Sequence, residues 1–565
     1  MIRVTCQDNK IVYNAYNLTR AFWPDEIINS EVREDQPVRI LISEEVRSTD
    51  SDDMTAAACS STSENGHLTS ESINVSGIYS DGVESIHEKG SFPDVPIEAG
   101  DIRALYEKLR EATGRSLPWG MLTGVRPTKL ASKWMEEHLS EYDAAANAQE
   151  AFAKWFYEDR FVSREKAEMA FQVAMRERGI ISRALHKAPG SSSHYDGIGY
   201  SLYIGIPFCP TVCSYCSFSS GTIGSYEGKI DAYIDALCCE LDETAGRIKE
   251  RATAPTSVYI GGGTPTSLSA EQLDRLLDYA DEKFHISQGL REGTILEYTI
   301  EAGRPDSITA EKLAVIKKHS ATRISINPQT MQQKTLDRIG RRHSVEQVRE
   351  AFALAREMGF DNINMDLIMG LEGESNDDVR DTLKQISELN PDSLTVHSLA
   401  VKRASAMGIN KKLKERSAEA YKNADIKTET ANDQGDAQNT ARSVNIADDD
   451  EVSGKNAEER DISKMISEAY EAATAMGMNP YYLYRQKSIA GNFENIGYAR
   501  EGKEGIYNVM IMEEVQSIIA CGAGASSKIV TEEEVPNPAR KNQMTHMIRY
   551  SNVKNIDEYI SRYQR

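Results

Sequence analysis

Three closely spaced cysteines constrain this chain more than any other feature. Cys209, Cys213 and Cys216 are spaced C-x3-C-x2-C and directly follow an apolar run, Leu202–Ile206, that is typical of a buried strand. An odd number of cysteines in one loop, with no secretory signal before it, argues against disulfides. A zinc site usually needs four ligands, often as two separated pairs, and no second C-x-x-C lies downstream. The spacing therefore favours a 4Fe–4S cluster with three irons held by protein and one open iron, with a structural cluster or a zinc site as the alternative.

The composition excludes several classes of protein. The net charge is −22 and the sequence pI is near 5.1, which disfavours a general binder of nucleic acid or anionic membranes. No apolar run approaches the roughly 18 residues that span a bilayer, and the first ten residues lack a signal-peptide pattern. The eight cysteines fit a reducing compartment, so we expect a cytoplasmic protein. Cys238 and Cys239 are adjacent in a helical pattern and point about 100° apart, which excludes a chelating pair.

From residue 200 onwards, short apolar segments alternate with helical patterns. Segments that are short and apolar throughout are typical of parallel strands buried on both faces. The strand candidates are Leu202–Ile206, Val258–Ile260, Tyr298–Glu301, Arg323–Ile326, Ile363–Met369 and Leu394–His397. Helical patterns between them include 270–284, 309–318, 345–358 and 377–389, with start and stop signals such as Ser269 and Gly359. Six βα units predict an α/β fold in which a parallel sheet curls into a partial (β/α)6 barrel, with active residues at the carboxyl ends of the strands.

Composition divides the rest of the chain. Residues 1–190 predict an α+β region that contains an insertion at 45–95, rich in Ser, Asp, Glu and Gly and expected to be disordered. A Gly/Ser-rich linker precedes the (β/α)6 core, which we place at 200–410. Residues 411–462 are highly charged and almost free of large apolar side chains, which predicts an exposed polar insertion. Residues 463–565 predict a C-terminal extension of helices and strands.

Polar residues follow several of the predicted strands. The string Gly261-Gly262-Gly263-Thr264-Pro265-Thr266 comes directly after the second strand, where glycines let the backbone approach a ligand closely. It lacks the G-x4-G-K-[ST] pattern of a phosphate-binding loop. Glu301, Gln329 and Asp366 lie on or after the next three strands, and Arg341 follows Gln329 by twelve residues. Carboxylates and amides suit hydroxyl or amino groups, and an arginine can clamp a carboxylate through two hydrogen bonds. Each residue alone is more often structural, so the prediction depends on the ordered set.

The cysteine loop resembles that of the radical S-adenosylmethionine (SAM) superfamily. The spacing is the same, and an aromatic residue, Tyr215, precedes the third cysteine as is typical of that superfamily. The wider string Tyr203-x3-Pro207-Phe208-Cys209 and the GGGTPT loop are similar to the oxygen-independent coproporphyrinogen III dehydrogenase (oxidase) family, with the HemZ-type members as the nearest resemblance. The string TGVRPTK, at 123–129, is similar to one found in those members. The resemblance covers about 200–410 and 462–530.

The resemblance implies a cofactor set and an activity. One 4Fe–4S cluster and SAM are expected as cofactors, and whether a second SAM binds is left open. The implied reaction is oxidative decarboxylation of two propionates of coproporphyrinogen III to vinyl groups, which gives protoporphyrinogen IX in haem biosynthesis. Tyr203 and Glu301 are the implied catalytic residues. The residues implied to bind these cofactors are Tyr203, Tyr215, Gly262, Gly263, Thr264, Glu301, Gln329, Arg341 and Asp366.

Two departures from the family leave the substrate open. The established dehydrogenases carry a histidine where this chain has Gly205, and a fourth cysteine where it has Phe218. The family also contains haem chaperones, for which His397 or the span Met476–Met478 are candidate axial ligands. A radical SAM enzyme with an unrelated substrate is the more remote alternative. The expected partners are coproporphyrinogen III or haem and an electron donor such as flavodoxin or ferredoxin, with no nucleic acid and no membrane span.

Several residues are candidates for recognising the carboxylates of a tetrapyrrole. Arg126 and Lys129 of the TGVRPTK string could meet a substrate carboxylate or a neighbouring domain, or could be solvated charges at a helix entry. Other cations occur beside an aromatic run near the C-terminal end of the predicted core. These further candidates are Lys402, Arg403, Arg485 and Lys487, with Tyr481, Tyr482 and Tyr484.

Overall fold

The structure is a computed structural model of the 565-residue chain. It describes residues 2–6, 9–22, 28–32, 39–42, 73–75, 90–92, 102–124, 126–185, 199–216, 221–249, 255–399, 461–485, 493–538 and 544–563. The predicted insertions at 45–95 and 411–462 lie almost wholly outside the described residues. Phe218, Lys402, Arg403 and Lys487 also lie outside them.

The described helices are numbered in chain order. They are α1 (Asn9–Phe22), α2 (Ile102–Thr113), α3 (Thr128–His138), α4 (Ala145–Arg160), α5 (Arg164–Ala184), α6 (Ile230–Lys249), α7 (Ala270–Phe284), α8 (Ile286–Glu292), α9 (Ala310–Lys318), α10 (Gln333–Arg338), α11 (Val345–Glu357), α12 (Asn376–Leu389), α13 (Ile462–Ala475), α14 (Ile506–Glu513) and α15 (Ile556–Tyr563). None of the helices in this part of the chain combines the length and the apolar character needed to cross a bilayer.

The described strands are also numbered in chain order. They are β1 (Ile2–Cys6), β2 (Ile28–Val32), β3 (Arg39–Ile42), β4 (Ile73–Val75), β5 (Gly90–Phe92), β6 (Tyr200–Ile206), β7 (Phe208–Cys209), β8 (Gly221–Thr222), β9 (Pro255–Gly262), β10 (Glu297–Gly303), β11 (Arg323–Ile326), β12 (Ile363–Met369), β13 (Ser393–Ser398), β14 (Asn479–Arg485), β15 (Glu494–Ala499), β16 (Ile518–Cys521), β17 (Ser526–Pro536) and β18 (Met544–Ser551).

The chain divides into two compact units. The first comprises residues 1–125, 142–168 and 487–493. In it, β1 pairs with β2 in parallel and with β3 in antiparallel fashion, and β4 pairs with β5. Its apolar core joins α1 to α2 through residues such as Leu18, Phe22, Tyr106 and Leu109. The second unit comprises residues 126–141, 169–486 and 494–565 and contains every residue discussed below.

The second unit is built on one large sheet. Its order among the described strands is β14-β15-β13-β12-β11-β10-β9-β6-β16-β17-β18. The six strands from β6 to β13 in this order are parallel, and helices connect each to the next. This arrangement confirms the predicted partial (β/α)6 barrel. The C-terminal residues extend the sheet at both edges, with β16 parallel to β6 and β15 antiparallel to β13.

Side chains on the six parallel strands alternate between an apolar outer face and a polar inner face. On β11, Ile324 and Ile326 are fully buried against the helices, whereas Arg323 and Ser325 line a cavity inside the barrel. Successive residues of a strand point to opposite faces, so one strand can direct apolar side chains into the core outside the barrel and polar side chains into the cavity. The sequence therefore builds a polar interior without losing the core that holds the barrel together.

Capping motifs position the helices between the strands. Ser269 caps α7 and forms a capping box with Gln272, and Ser344 does the same for α11 with Gln347. In each box, the serine hydroxyl and the glutamine amide satisfy backbone N–H groups that the first turn of a helix leaves unpaired. Gly359, which follows α11, has φ +82°. The predicted start at Ser269 and the predicted stop at Gly359 are both confirmed.

Candidate functional site

The cysteine loop lies at the carboxyl end of β6. Cys209 ends the short strand β7, Cys213 is buried, and Cys209 and Cys216 are half-buried. The backbone N–H of Ser214 donates to Ile339 O at 3.0 Å, and the Thr211 hydroxyl donates to Gly340 O at 3.0 Å. All three cysteines line the cavity, and none of them is in a disulfide.

The glycine-rich loop after β9 is fixed against the cysteine loop. Gly263 N–H donates to Ile206 O at 2.6 Å, and Thr264 N–H donates to Phe208 O at 2.7 Å. A Cβ atom on Gly263 would lie 2.5 Å from Phe208 O, so only glycine permits this approach. Thr264 Oγ1 also lies 3.4 Å from Cys209 Sγ. The backbone of one loop therefore sets the position of the other.

Two buried arginines donate hydrogen bonds to the sulfur of Cys213. Arg304 Nη1 lies 3.7 Å and Arg341 Nη1 lies 4.0 Å from Cys213 Sγ. Arg304 also forms a double contact with Asp306, through Nε at 3.0 Å and Nη2 at 2.9 Å. Arg341 donates to the Tyr215 hydroxyl at 3.0 Å and to Asn327 O at 2.6 Å. The pair places positive charge beside a sulfur that would carry negative charge as a metal ligand.

Sequence reasoning identified Arg341 and missed Arg304. Arg304 follows Glu301 by three residues, but nothing in the sequence showed that this arginine would reach the cysteine loop.

Glu301 lies on the inner face of β10 and lines the cavity. The Tyr259 hydroxyl donates a hydrogen bond to one of its carboxylate oxygens. The pKa of Glu301 is raised to about 7, chiefly by burial and also by the nearby Asp366 carboxylate, against the lowering effect of the hydrogen bonds from Tyr259 and the Gly262 N–H and of the Arg323 charge. A carboxylate of this kind changes its charge near neutral pH and can accept hydrogen bonds from a ligand. Tyr259 was not predicted from the sequence.

Gln329, which follows β11, lies beside Asp366 of β12. Gln329 N–H donates to Asp366 O at 2.9 Å, and Gln329 O accepts from Ile368 N–H at 2.9 Å. Gln329 has φ +71°, which is uncommon for a residue with a side chain. Strained backbone of this kind clusters at ligand sites. Asp366 is oriented by Asn364, whose Nδ2 donates to it at 2.7 Å.

The cavity is surrounded by buried polar atoms that lack hydrogen-bond partners within the described residues. Its volume is about 370 Å³. Five such atoms belong to residues that line it: Arg323 Nε, Ser325 Oγ, Asn327 Oδ1, Gln329 Oε1 and Arg341 Nε. Buried polar groups are nearly always paired in folded proteins, because leaving one unpaired costs about 1–3 kcal/mol. A concentration of unpaired donors and acceptors around one cavity indicates a binding site for a polar ligand.

The structure places the remaining predicted cofactor residues around this cavity. Tyr215, Gly262, Gly263 and Thr264 line it. Tyr203 lies next to it, with its ring 6.2 Å from that of Tyr259 and 6.1 Å from that of Tyr507. A Cβ atom on Gly262 would lie 3.2 Å from the Tyr203 hydroxyl, so this hydroxyl is close to the glycine loop.

Gly205 is tightly enclosed. A Cβ atom there would lie 3.3 Å from the Tyr203 ring and 3.4 Å from Cys521 O. These are closer contacts than real Cβ atoms usually make, so a side chain at this position would push on the Tyr203 ring. The neighbouring atoms therefore leave little space for a side chain at Gly205, the position at which the established dehydrogenases carry histidine.

The predicted substrate residues have different surroundings. Tyr482, Tyr484 and His397 line the cavity. Arg485 is buried on β14, where burial lowers the pKa of its guanidinium to about 10 and the Glu494 carboxylate opposes that shift. It is not among the residues that line the cavity.

Arg126 and Lys129 are engaged elsewhere in the second unit. Arg126 pairs with Glu514 at 2.7 Å and donates to Met512 O at 2.5 Å. Lys129 lies 3.6 Å from the same carboxylate. Arg126 and Lys129 thus hold the end of α14, and neither of them is among the residues that line the cavity.

Comparison with known proteins identifies the family. The model of the radical SAM superfamily matches residues 203–386. The oxygen-independent coproporphyrinogen-III oxidase-like protein HemZ from Bacillus subtilis is 37% identical over 504 residues, which cover 88% of this chain and 86% of HemZ. This chain belongs to the HemZ-like family of radical SAM proteins. The family resemblance seen in the sequence is thereby confirmed.

Two further comparisons cover less of the chain or are more distant. The heme chaperone HemW from Bacillus subtilis is 37% identical over 201 residues, which are 36% of this chain and 50% of HemW. The solved structure of coproporphyrinogen III oxidase (HemN) from Escherichia coli matches 69% of this chain and 71% of that chain, with 21% identity and a TM-score of 0.42.

Membership of the superfamily implies a 4Fe–4S cluster and SAM. The site of this HemZ-like chain fits both groups on its own chemistry. Three thiols and two buried guanidinium groups suit an anionic iron–sulfur cluster, and the unpaired polar atoms suit a ligand that carries amino, carboxylate and hydroxyl groups.

Proposed function

We propose that this chain is an oxygen-independent coproporphyrinogen III dehydrogenase, an oxidoreductase that converts two propionates of coproporphyrinogen III to vinyl groups and yields protoporphyrinogen IX. The observation that carries the proposal is the cavity in which the three cysteines, Glu301 and the unpaired polar atoms meet. The HemZ relative, which matches most of the chain, supports this choice of substrate.

The proposal gives each cavity residue a role toward the cofactors. Cys209, Cys213 and Cys216 would each hold one iron and leave the fourth open for the amino and carboxylate groups of SAM. Arg341 has an unpaired Nε and would meet a carboxylate, while Gln329 and Asp366 would take the ribose hydroxyls. The backbone of Gly262, Gly263 and Thr264, with Glu301 and Tyr203, would hold the methionyl amino end, and Tyr215 would shield the cluster from water.

The chemistry depends on exclusion of water and on positioning. When bound, the cluster and SAM supply a 5′-deoxyadenosyl radical, which removes a hydrogen atom from the β carbon of a propionate. The abstracted hydrogen would leave as 5′-deoxyadenosine, and loss of carbon dioxide with transfer of one electron to an external one-electron acceptor would leave a vinyl group on the substrate. The chain itself holds the reacting propionate inside a buried cavity, and Tyr259, Tyr482 and Tyr484 form much of the aromatic wall there. Flavodoxin or ferredoxin is the proposed class of electron donor.

The test is an anaerobic turnover assay. The reconstituted protein is given SAM, a reductant and coproporphyrinogen III, and 5′-deoxyadenosine and tetrapyrroles are quantified by chromatography, with Cys213→Ala as the inactive control. We expect 5′-deoxyadenosine and vinyl-bearing products that both depend on the substrate. SAM cleavage without consumption of coproporphyrinogen would overturn the dehydrogenase proposal.

A haem chaperone is the second candidate. It is supported by the similarity to HemW over the radical SAM part of the chain and by His397, an available axial ligand for haem iron that lines the cavity. A haem titration separates the two candidates. A chaperone would bind haem with a shift of its absorption bands that His397→Ala abolishes, and it would leave coproporphyrinogen unchanged.

A further inference from the structure

A third buried arginine lines the same cavity and has almost no partners. Arg323 begins β11 and is 2% exposed. Within the described residues, its guanidinium makes one hydrogen bond, from Nη2 to Ser393 Oγ at 3.1 Å, and its Nε has no partner. By contrast, the cavity arginines Arg304 and Arg341 each donate to at least two oxygen partners besides Cys213.

Two carboxylates interact electrostatically with Arg323, and both already accept hydrogen bonds. They are Glu301, which accepts from the Tyr259 hydroxyl, and Glu297. One carboxylate oxygen of Glu297 accepts the backbone N–H groups of Ile506 and Tyr507, and the other accepts the Thr299 hydroxyl at 2.7 Å. Glu297 therefore fixes the beginning of α14, and it leaves the donors of Arg323 unsatisfied.

The backbone of Arg323 lies at the end of β11 that is away from the cysteine loop. Arg323 begins β11, whereas Asn327, whose carbonyl holds Arg341, follows the end of that strand. Four residues of extended chain span about 13 Å. A ligand anchored at Arg323 would extend toward the cysteines through the cavity, which Tyr259 and Tyr482 also line.

We propose that Arg323 is the anchor for a carboxylate of the substrate, at the end of the cavity away from the cysteine loop. A buried guanidinium with free donors favours a carboxylate, because the two groups can form paired, charge-assisted hydrogen bonds. The proposal rests on the proposed function, since it takes that carboxylate to be a propionate of a tetrapyrrole. It adds a residue for substrate recognition that the family motif does not supply.

A purely positional role for Arg323 makes a different prediction. A chain of hydrogen bonds runs from Arg323 to Ser393, from the Ser393 hydroxyl to Asn364 at 3.1 Å, and from Asn364 to Asp366 at 2.7 Å. If Arg323 only oriented Asp366, removal of the Ser393 hydroxyl would weaken ligand binding as much as removal of Arg323. Ser393→Ala is therefore the matched control, because it removes the link and keeps the cation.

The experiment measures binding and needs no turnover. Fluorescence titrations under identical detergent conditions compare coproporphyrin III with its tetramethyl ester, using the full chain and the variants Arg323→Gln, Arg323→Lys and Ser393→Ala. We expect the native chain to prefer the free acid. We expect Arg323→Gln to weaken the acid by about 10- to 100-fold and the ester little. Arg323→Lys should weaken the acid less, since it keeps the charge, and Ser393→Ala should resemble the native chain.

Three outcomes would overturn the proposal that Arg323 anchors a carboxylate. They are equal binding of acid and ester by the native chain, an unchanged acid affinity in Arg323→Gln, and a loss of acid affinity in Ser393→Ala equal to that in Arg323→Gln. Because Arg323→Gln could unfold the barrel, circular dichroism accompanies each titration, and Arg323→Lys decides the question if Arg323→Gln is unfolded. Charge-dependent binding together with a failed turnover assay would leave the anchor intact and remove only the proposed reaction.

Discussion

The two ends of the barrel cavity each hold a buried arginine, and these two arginines differ in how far the chain satisfies their hydrogen-bond donors. At the cysteine loop, Arg304 is held by Asp306 and Thr211, and backbone hydrogen bonds join the loop to its glycine-rich neighbour. Deeper inside, Arg323 has one partner, and Ser325 has a buried hydroxyl with none among the described residues. Groups that are paired before any ligand arrives fix geometry, whereas groups left unpaired in a buried site favour a ligand that completes them.

Removal of a cysteine should have the largest effect, because it removes a ligand at the cysteine end of the cavity. Each of Cys209→Ala, Cys213→Ala and Cys216→Ala should lose nearly all iron and acid-labile sulfide after reconstitution, because a cluster held by three thiolates is not retained by two. Cys239→Ala, which changes an exposed cysteine on α6, is the matched control. Iron and sulfide assays with absorption spectra make the measurement, and full retention of a 4Fe–4S spectrum by a loop variant would refute the assignment.

The next largest effect is expected for Arg304, the arginine whose donors are already paired. Arg304→Gln removes a positive charge and a donor beside Cys213, which should make the reduced cluster harder to form and move its midpoint potential to a more negative value. Redox titration followed by electron paramagnetic resonance measures the shift. Thr211→Val keeps Arg304 but removes its hydroxyl contact in the loop, so this control should shift the potential less. Identical potentials in all three proteins would show that Arg304 only braces the loop.

Glu301 gives a prediction about pH. Burial raises its pKa to about 7, so the carboxylate is charged above that pH and protonated below it. A charged carboxylate is the stronger acceptor, so SAM binding should strengthen as the pH rises through 7. The change should be at most about tenfold per pH unit, and Glu301→Gln should flatten the profile. Calorimetric titration of SAM between pH 6 and pH 8 measures both, and a native profile that is already flat would contradict the proposed contact.

The smallest effect concerns Tyr259. Its hydroxyl donates to Glu301 and lowers the pKa of that carboxyl, so Tyr259→Phe should move the inflection of the SAM profile above pH 7. Tyr507→Phe is the control, because the Tyr507 ring stacks on Tyr259 and only Tyr259 donates its hydroxyl to Glu301 among the described residues. An inflection that moves equally in both variants would assign the effect to the aromatic stack.

Sequence patterns were sufficient for the barrel but not for its edges. The six parallel strands were predicted within a few residues, because their outward apolar residues form short, continuous signals. The boundaries were too narrow at β9 and β10, where inward polar residues such as Ser257 and Glu297 hide the ends of the strands. The pairing of β15 and β16 with β13 and β6 joins residues far apart in the chain, and local periodicity carries no information about such contacts.

Motifs predicted one set of the residues that line the cavity and missed another. The cysteines, the glycine loop, Glu301, Gln329, Arg341 and Asp366 were predicted because they lie on or after successive strands in a fixed order, and the structure gathers them around one cavity. Arg304, Tyr259 and Arg323 were missed as site residues. Their importance comes from what they contact or fail to contact, and only a three-dimensional structure shows unpaired donors.

The most direct test of the account is whether SAM reaches an open iron at this cysteine loop. Electron paramagnetic resonance spectra of the reduced, reconstituted protein would be recorded with and without SAM. We predict the signal of a reduced 4Fe–4S cluster, with a shape that changes when SAM is added to the native chain and changes less in Arg341→Ala. The absence of a cluster signal, or a cluster signal that is the same with and without SAM, would contradict the proposal that SAM binds a cluster held by this loop.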